Sequence, residues 1–129
     1  MRRTVELEVL PACQAYGMAF LPYSPLGAGA LGGRPKDNDG GRRNFVRATP
    51  ALERFEALCE TLGHAPGDVA LTWLANRPGV TAPIVGPRTL AQMDSSLSAL
   101  AIQLDEETLK TLDEIFPGPG GPAPEAYAW

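Results

Sequence analysis

The sequence predicts an α/β chain in which two short parallel strands carry helices beside them. Two observations carry that prediction. Apolar residues recur at spacings of three and four at Leu52, Phe55, Leu58 and Leu62, and again at Leu90, Met93, Leu97 and Leu100, the stripe an amphipathic helix needs. Two short apolar runs, residues 18–23 and 80–86, are punctuated by Gly17 and Pro25 and by Gly79 and Gly86, as buried strands are. Helical segments lie between the runs, so the connection is a helical crossover and the strands pair in parallel.

Residues 4–16 carry Val5, Leu7, Val9, Leu10 and Cys13, which suit a short helix stopped at Gly17, with Pro11 interrupting it. In the first strand Pro22 offers no N–H to a ladder, which keeps that strand short at its C-terminal end. Residues 24–50 read as a long loop, Gly-rich at first and then basic; loops of this length tend to be functional. The helix over residues 52–62 stops at Gly63, and Pro66 suits the first turn of a second helix through Val69, Ala70, Trp73 and Leu74. After the second strand, Thr89-Leu90-Ala91-Gln92 has the form of a capping box, in which hydroxyl and amide side chains satisfy free N–H groups. Asp105 suits the cap of a last helix, with Leu104 and Leu109 as its hydrophobic staple and Pro117 as its stop. Residues 117–129 are too rich in Pro and Gly for helix or strand and read as an extended tail. Leu52, Phe55, Leu58, Trp73, Leu74, Met93, Leu97 and Leu100 are the expected core.

Composition narrows the function classes. The chain has 129 residues, 44% apolar and 20% charged, which suits one globular domain. A net charge of −4 argues against broad nucleic-acid binding. No apolar run reaches the length of a membrane span, and the opening residues lack the uncharged core of a signal peptide. Cys13 and Cys59 form no metal or redox motif, so a cytoplasmic location and no metal are the expectation.

Four segments carry a family resemblance: Leu21-Pro22-Tyr23-Ser24-Pro25-Leu26-Gly27, Arg42-Arg43, Val69-Ala70-Leu71-Thr72-Trp73-Leu74, and Ile84-Val85-Gly86-Pro87-Arg88-Thr89-Leu90-Ala91-Gln92-Met93. In this order and at these separations they closely resemble the aldo-keto reductases, and the resemblance runs over essentially the whole chain. It implies the C-terminal portion of a (β/α)₈ TIM barrel: the sixth helix, the seventh and eighth βα units and a tail, with the barrel incomplete in these residues. Complete barrels take about 250 residues. On this reading residues 1–129 are a partial, truncated oxidoreductase domain. The catalytic Asp, Tyr, Lys and His of the family belong to earlier strands, so no catalytic residue maps here. The single histidine, His64, falls between two helices.

What the resemblance does assign is the cofactor, NADP(H). Tyr23 matches the ring that stacks on the nicotinamide; from its residue type alone it reads equally as a packed strand-end tyrosine. Ser24, Leu26 and Gly27 match the turn around the pyrophosphate, where backbone N–H groups donate and Gly permits close approach. Arg34 falls near a basic position that reaches the phosphates, and Arg42 or Arg43 near one that closes over them. Gly86 and Arg88 end the second strand motif. Arg88 precedes a helix N-terminus that favours an anion, and in the family such an arginine meets the adenosine 2′-phosphate. The residues alone also allow a solvated arginine after a Gly-Pro turn. Gln92 matches an adenosine contact. Ser95 and Ser96 stand where many relatives carry Glu and Asn on the adenine, a departure that implies weaker or water-mediated contacts.

Two functional readings follow. In one the chain is the cofactor-binding part of an NADP-dependent aldo-keto reductase, inactive alone, whose complete enzyme acts on an aldehyde or ketone. In the other it is a non-catalytic nucleotide-binding or interaction module that completes a barrel with another chain or self-associates through exposed strand edges. A remnant without function is a third possibility that the residues leave open.

Overall fold

The computed structural model describes residues 3–33 and 49–121. Among these the helices are α1 (Val9–Ala15), α2 (Pro50–Leu62), α3 (Pro66–Ala75), α4 (Leu90–Ala99) and α5 (Glu106–Ile115), with single 3₁₀ turns at Thr4–Glu6 and Gly27–Gly29. The Gly27–Gly29 turn has no counterpart in the sequence expectation. The basic half of the long loop and the end of the Pro/Gly-rich tail lie outside the described residues, as do Arg34, Arg42 and Arg43.

Local chemistry sets most helix ends. The Thr49 hydroxyl accepts the Leu52 N–H at 3.3 Å, Pro50 opens α2, and Gly63 at φ 70° closes it. The Gly63 and His64 amides donate to the carbonyls of Glu60 and Cys59 at 3.1 Å each, a Schellman motif that only a residue tolerant of left-handed backbone completes cheaply. Asp105 accepts the Thr108 N–H at 2.8 Å and starts α5. Pro11 does not interrupt α1. It sits in the first turn, where a missing N–H costs nothing because that turn's amides have no intrahelical partner.

The two expected strands are the main correction. Residues 20–23 and 81–84 do lie side by side in parallel: Thr81 N–H donates to the Phe20 carbonyl at 2.9 Å and Ile84 N–H to the Pro22 carbonyl at 2.8 Å. Only one ladder pair forms among the described residues, Tyr23 with Ile84, and no extended strand results. The register slips by one residue between the two bonds, and Pro22 and Pro83 each remove a donor.

The core lies between α2, α3 and α5. Phe55 and Cys59 from α2, Val69, Ala70 and Trp73 from α3, and Leu112, Ile115 and Phe116 are buried together with Leu31. Phe55 and Phe116 meet edge to face with ring centres 5.6 Å apart. Leu104 and Leu109 pack on this core from the start of α5, as a staple should. Burial pushes the Cys59 thiol up to about 12, so it is a packing group rather than a nucleophile.

On α4 the expected core residues are not buried. Leu97 is 56% exposed, Leu100 53% and Met93 40%, and only Ala99 is buried on this helix. The reason is the face α4 turns to α3: the fully buried Thr72 hydroxyl donates to the Ala99 carbonyl, which brings the helices together through small groups. Leu74 is half-buried.

A polar clamp joins the two ends of the described chain. Arg3 bonds Glu6 at 2.7 Å, Asp113 at 2.8 Å and the Phe116 carbonyl at 2.7 Å. Arg77 reaches Glu6 and Asp113 at 3.2 Å each. Both guanidinium carbons stand about one ring's width from Trp73, 5.3 and 4.9 Å from its centre, a cation–π arrangement. Burial pushes the Glu6 carboxyl up, but Arg3, and Arg77 after it, outweigh burial and hold it below the ordinary value.

Candidate functional site

Three pieces of chain converge on the N-terminal ends of α3 and α4. The first is the turn after residue 23. Tyr23, held by its single ladder pair, is 84% exposed. The backbone then enters the left-handed region at Ser24 (φ 56°) and Gly27 (φ 57°), and the Gly27 N–H closes the turn onto the Ser24 carbonyl at 2.9 Å. A non-glycine residue there carries strain of order 1 kcal/mol or more, which tends to collect at binding sites.

The second piece is the loop that follows, seated on the first turn of α3. Leu26 packs on the core, and its methyl carbons lie 3.8 Å from where a Cβ on Gly67 would stand. A Cβ on Gly33 would come 3.6 Å from Pro66. Leu31 is buried beneath, so the part of this loop next to Tyr23 has a fixed seat.

The third piece is the start of α4. The Thr89 hydroxyl accepts the Gln92 N–H at 3.2 Å. The Gln92 side chain does not close the expected reciprocal bond to Thr89; its Oε1 accepts the Arg88 N–H at 2.7 Å instead. A backbone N–H is a donor, so the Gln92 amide nitrogen is left as the outward-facing donor. The Leu90 and Ala91 amides meet no acceptor among the described residues. Arg88 is exposed and forms no ion pair among them. Two free amides near an unpaired guanidinium are the kind of donors an anion accepts from. Gly86 just before them would carry a Cβ into open space, so its surroundings leave room for a ligand.

Gln92 and Ser95 thus lie one turn apart on α4, with Arg88 just ahead of its cap Thr89, while Tyr23, Ser24, Leu26 and Gly27 belong to the turn after the parallel bridge. Ser96 does not join them: its hydroxyl donates back to the Gln92 carbonyl at 2.8 Å. Asp68, in the first turn of α3, was not foreseen; it accepts the Ser95 hydroxyl at 2.7 Å. In sequence it reads only as an acid in a helix's first turn, and no local signal ties it to a serine on another helix. No group of three or more His, Cys, Asp or Glu side chains gathers among the described residues as a metal site would need. No described helix is long and apolar enough to cross a membrane.

A turn at a parallel bridge thus stands in the same structure as a helix start with unpaired backbone donors. The family model of the aldo/keto reductase family matches residues 1–116, and the chain belongs to that family. It is 45% identical over 135 residues to the uncharacterized oxidoreductase YrpG of Bacillus subtilis, with all of this chain and 41% of that protein covered. It is 29% identical to norsolorinic acid reductase B of Dothistroma septosporum, covering 92% of this chain and 32% of that one. Among solved structures, the aldo/keto reductase of Klebsiella pneumoniae, crystallised with NADP and acetate, matches at a TM-score of 0.70 and 24% identity, over 94% of this chain and 38% of that one. The fold of this segment is therefore that of an aldo/keto reductase segment, and the chain spans about two-fifths or less of the length of these relatives.

Proposed function

We propose that the chain is the cofactor-binding part of an NADP-dependent aldo-keto reductase, an incomplete TIM barrel whose carbonyl chemistry depends on groups outside these residues. The observation that carries the reading is the start of α4, where among the described residues Arg88 forms no ion pair and the Leu90 and Ala91 amides meet no acceptor, next to Gly86, whose Cβ position is open. A nucleotide phosphate fits that donor set. The guanidinium holds the 2′-phosphate of NADP(H), and the Gln92 amide nitrogen donates to the adenosine. Gly86 leaves space for the ligand, while the turn at Ser24, Leu26 and Gly27 lies against the pyrophosphate. The exposed Tyr23 ring supports one face of the nicotinamide, which fixes the face presented to a carbonyl. Arg34 and Arg42 are assigned to the phosphates from sequence alone. Ser95 belongs to the adenine end, and Ser96 supports the helix turn beneath it.

When bound, the nicotinamide supplies a hydride. Carbonyl reduction also needs a proton delivered to the carbonyl oxygen. No residue near Tyr23 is assigned that task; it falls to the family's Asp, Tyr, Lys and His set, and an aldehyde or ketone is the substrate of the complete enzyme. The chain alone therefore binds NADPH without turning it over. Purified protein is mixed with NADPH and a reactive aldehyde, and absorbance at the nicotinamide band is followed. The expected rate equals that of a protein-free control. Consumption above the control that disappears in Tyr23→Ala would overturn this reading.

One observation favours the second role, completion of a barrel with another chain or self-association. Leu21, Tyr23 and Ile84 on the parallel pair, and Met93 and Leu97 on α4, are exposed, and an unpaired ladder edge recruits further strands. Light scattering on a sizing column decides it: a soluble monomer at all concentrations removes the self-association version.

A further inference from the structure

Between α1 and the end of α3 lies a cavity of about 220 Å³, lined by Glu6, Leu10, Pro11, Gln14, Arg77 and Pro78. None of these residues is assigned to the cofactor. The volume is below that of a drug-sized site and suits a flat ligand of about nine or ten heavy atoms. Leu10, Pro11 and Pro78 supply apolar wall, and the other three supply polar groups with bonding capacity left over. The Gln14 side chain forms no hydrogen bond among the described residues, yet its place is set. It lies over Gly79, at φ 88°, where a Cβ would come 2.6 Å from Gln14 Nε2 and 3.0 Å from Leu10 Cδ1. Arg77 gives Nη1 to Asp113 and Nη2 to Glu6, at 3.2 Å each, and keeps its Nε–H and one hydrogen on each terminal nitrogen. Among the described residues Glu6 Oε1 accepts from Arg3 Nε at 2.7 Å and keeps a second lone pair.

Charge decides which class of ligand fits. Arg3 and Arg77 are paired with Glu6 and Asp113 in one network, with two charges of each sign. An anion entering beside Arg77 meets Glu6, and a cation entering beside Glu6 meets Arg77. Either gives up hydration without finding an uncompensated partner. A neutral group with an acceptor and a donor on the same carbon finds both: its oxygen accepts from Arg77 or Gln14 Nε2, and its N–H donates to Glu6 or Gln14 Oε1. We propose that this cavity binds a small neutral carboxamide carried on a flat apolar ring, with the ring against Leu10, Pro11 and Pro78 and the carboxamide among Gln14, Arg77 and Glu6. The site stands apart from the nucleotide reading, because it uses no residue of α4 or of the turn after Tyr23.

Benzamide is the probe, titrated into the whole chain by ligand-detected NMR, with benzoate and benzylamine as charged counterparts of similar size. Benzamide should saturate with a dissociation constant on the order of 1–10 mM, and each charged counterpart should bind roughly fivefold more weakly or less. Gln14→Ala, at an exposed position, removes the amide and should weaken benzamide about threefold. Gly79→Ala puts a Cβ where that amide lies and should do the same. Saturating NADPH should leave benzamide binding unchanged. Absence of saturable binding, equal binding of all three probes, or unchanged affinity in Gln14→Ala each overturns the site, whether or not Gly79→Ala folds. Benzamide that NADPH displaces and Gln14→Ala leaves unaffected is bound beside Tyr23 instead, which overturns the site and leaves the nucleotide reading standing.

Discussion

At Gly63 the cost of a side chain is purely backbone. A Cβ there would meet nothing within 4 Å, yet the residue stands at φ 70° and closes α2. Gly63→Ala should therefore lower stability by about 1 kcal/mol, the cost of a left-handed non-glycine residue, measured by urea unfolding. NADPH affinity should not change, because α2 packs against α3 and α5 and carries none of the proposed cofactor contacts. Glu6 gives a residue-scale prediction of the opposite kind. Its proton binds less readily in the folded chain than in the unfolded one. The stability it contributes is thus fully present above the ordinary carboxylate range and is lost as pH falls through its lowered folded value. Melting temperatures of the wild type and Glu6→Gln should differ most near neutral pH and converge in acid. A constant difference across that range would mean that the clamp to Arg3 and Arg77 is held by packing against Trp73 rather than by charge.

Among the elements, the α3–α4 pairing matters most to the site, because it sets Asp68 beside Ser95. Its polar tie is the fully buried Thr72 hydroxyl on the Ala99 carbonyl. Thr72→Val removes one of that carbonyl's two donors, the other being the Ile102 N–H at 3.1 Å, and should cost about 0.5–1.5 kcal/mol, while Thr72→Ser restores the bond and most of the stability; thermal melts of the two variants check this. The helices were legible in sequence because their ends are local: Gly63, Thr89 and Asp105 act on amides or carbonyls within a few residues, as does Thr49, a cap the sequence reading did not single out. Of the strands the parallel pairing was legible but not its extent, because a ladder depends on partners far along the chain, and Pro22, Pro83 and a register slip reduce this one to a single pair. The exposed face of α4 has the same cause: helical spacing at Leu90, Met93, Leu97 and Leu100 reports an apolar stripe, but not whether anything covers it. Of the site, Arg88 and Gln92 could be read from a helix-start motif. Asp68 could not, since only folding brings it to Ser95, which lies 27 positions along the chain.

At the scale of the molecule, the core between α2, α3 and α5 lies under the seat of the loop that carries Leu26 and Leu31, and the candidate site lies at the edge of that core. The nicotinamide end is the less supported end: Tyr23 is held by one ladder pair and exposed on its other sides. The adenosine end, on α4, has the firmer frame. Cofactor affinity in this chain should therefore come mainly from the phosphate and the base, at a dissociation constant of about 10–1000 μM. The most direct measurement is calorimetric titration of the wild type and Arg88→Ala with NADPH and with NADH. The account predicts that the wild type prefers NADPH, and that Arg88→Ala loses about 1.5–3 kcal/mol of NADPH affinity with NADH nearly unaffected. Equal losses for both cofactors, or no preference for NADPH in the wild type, would contradict it.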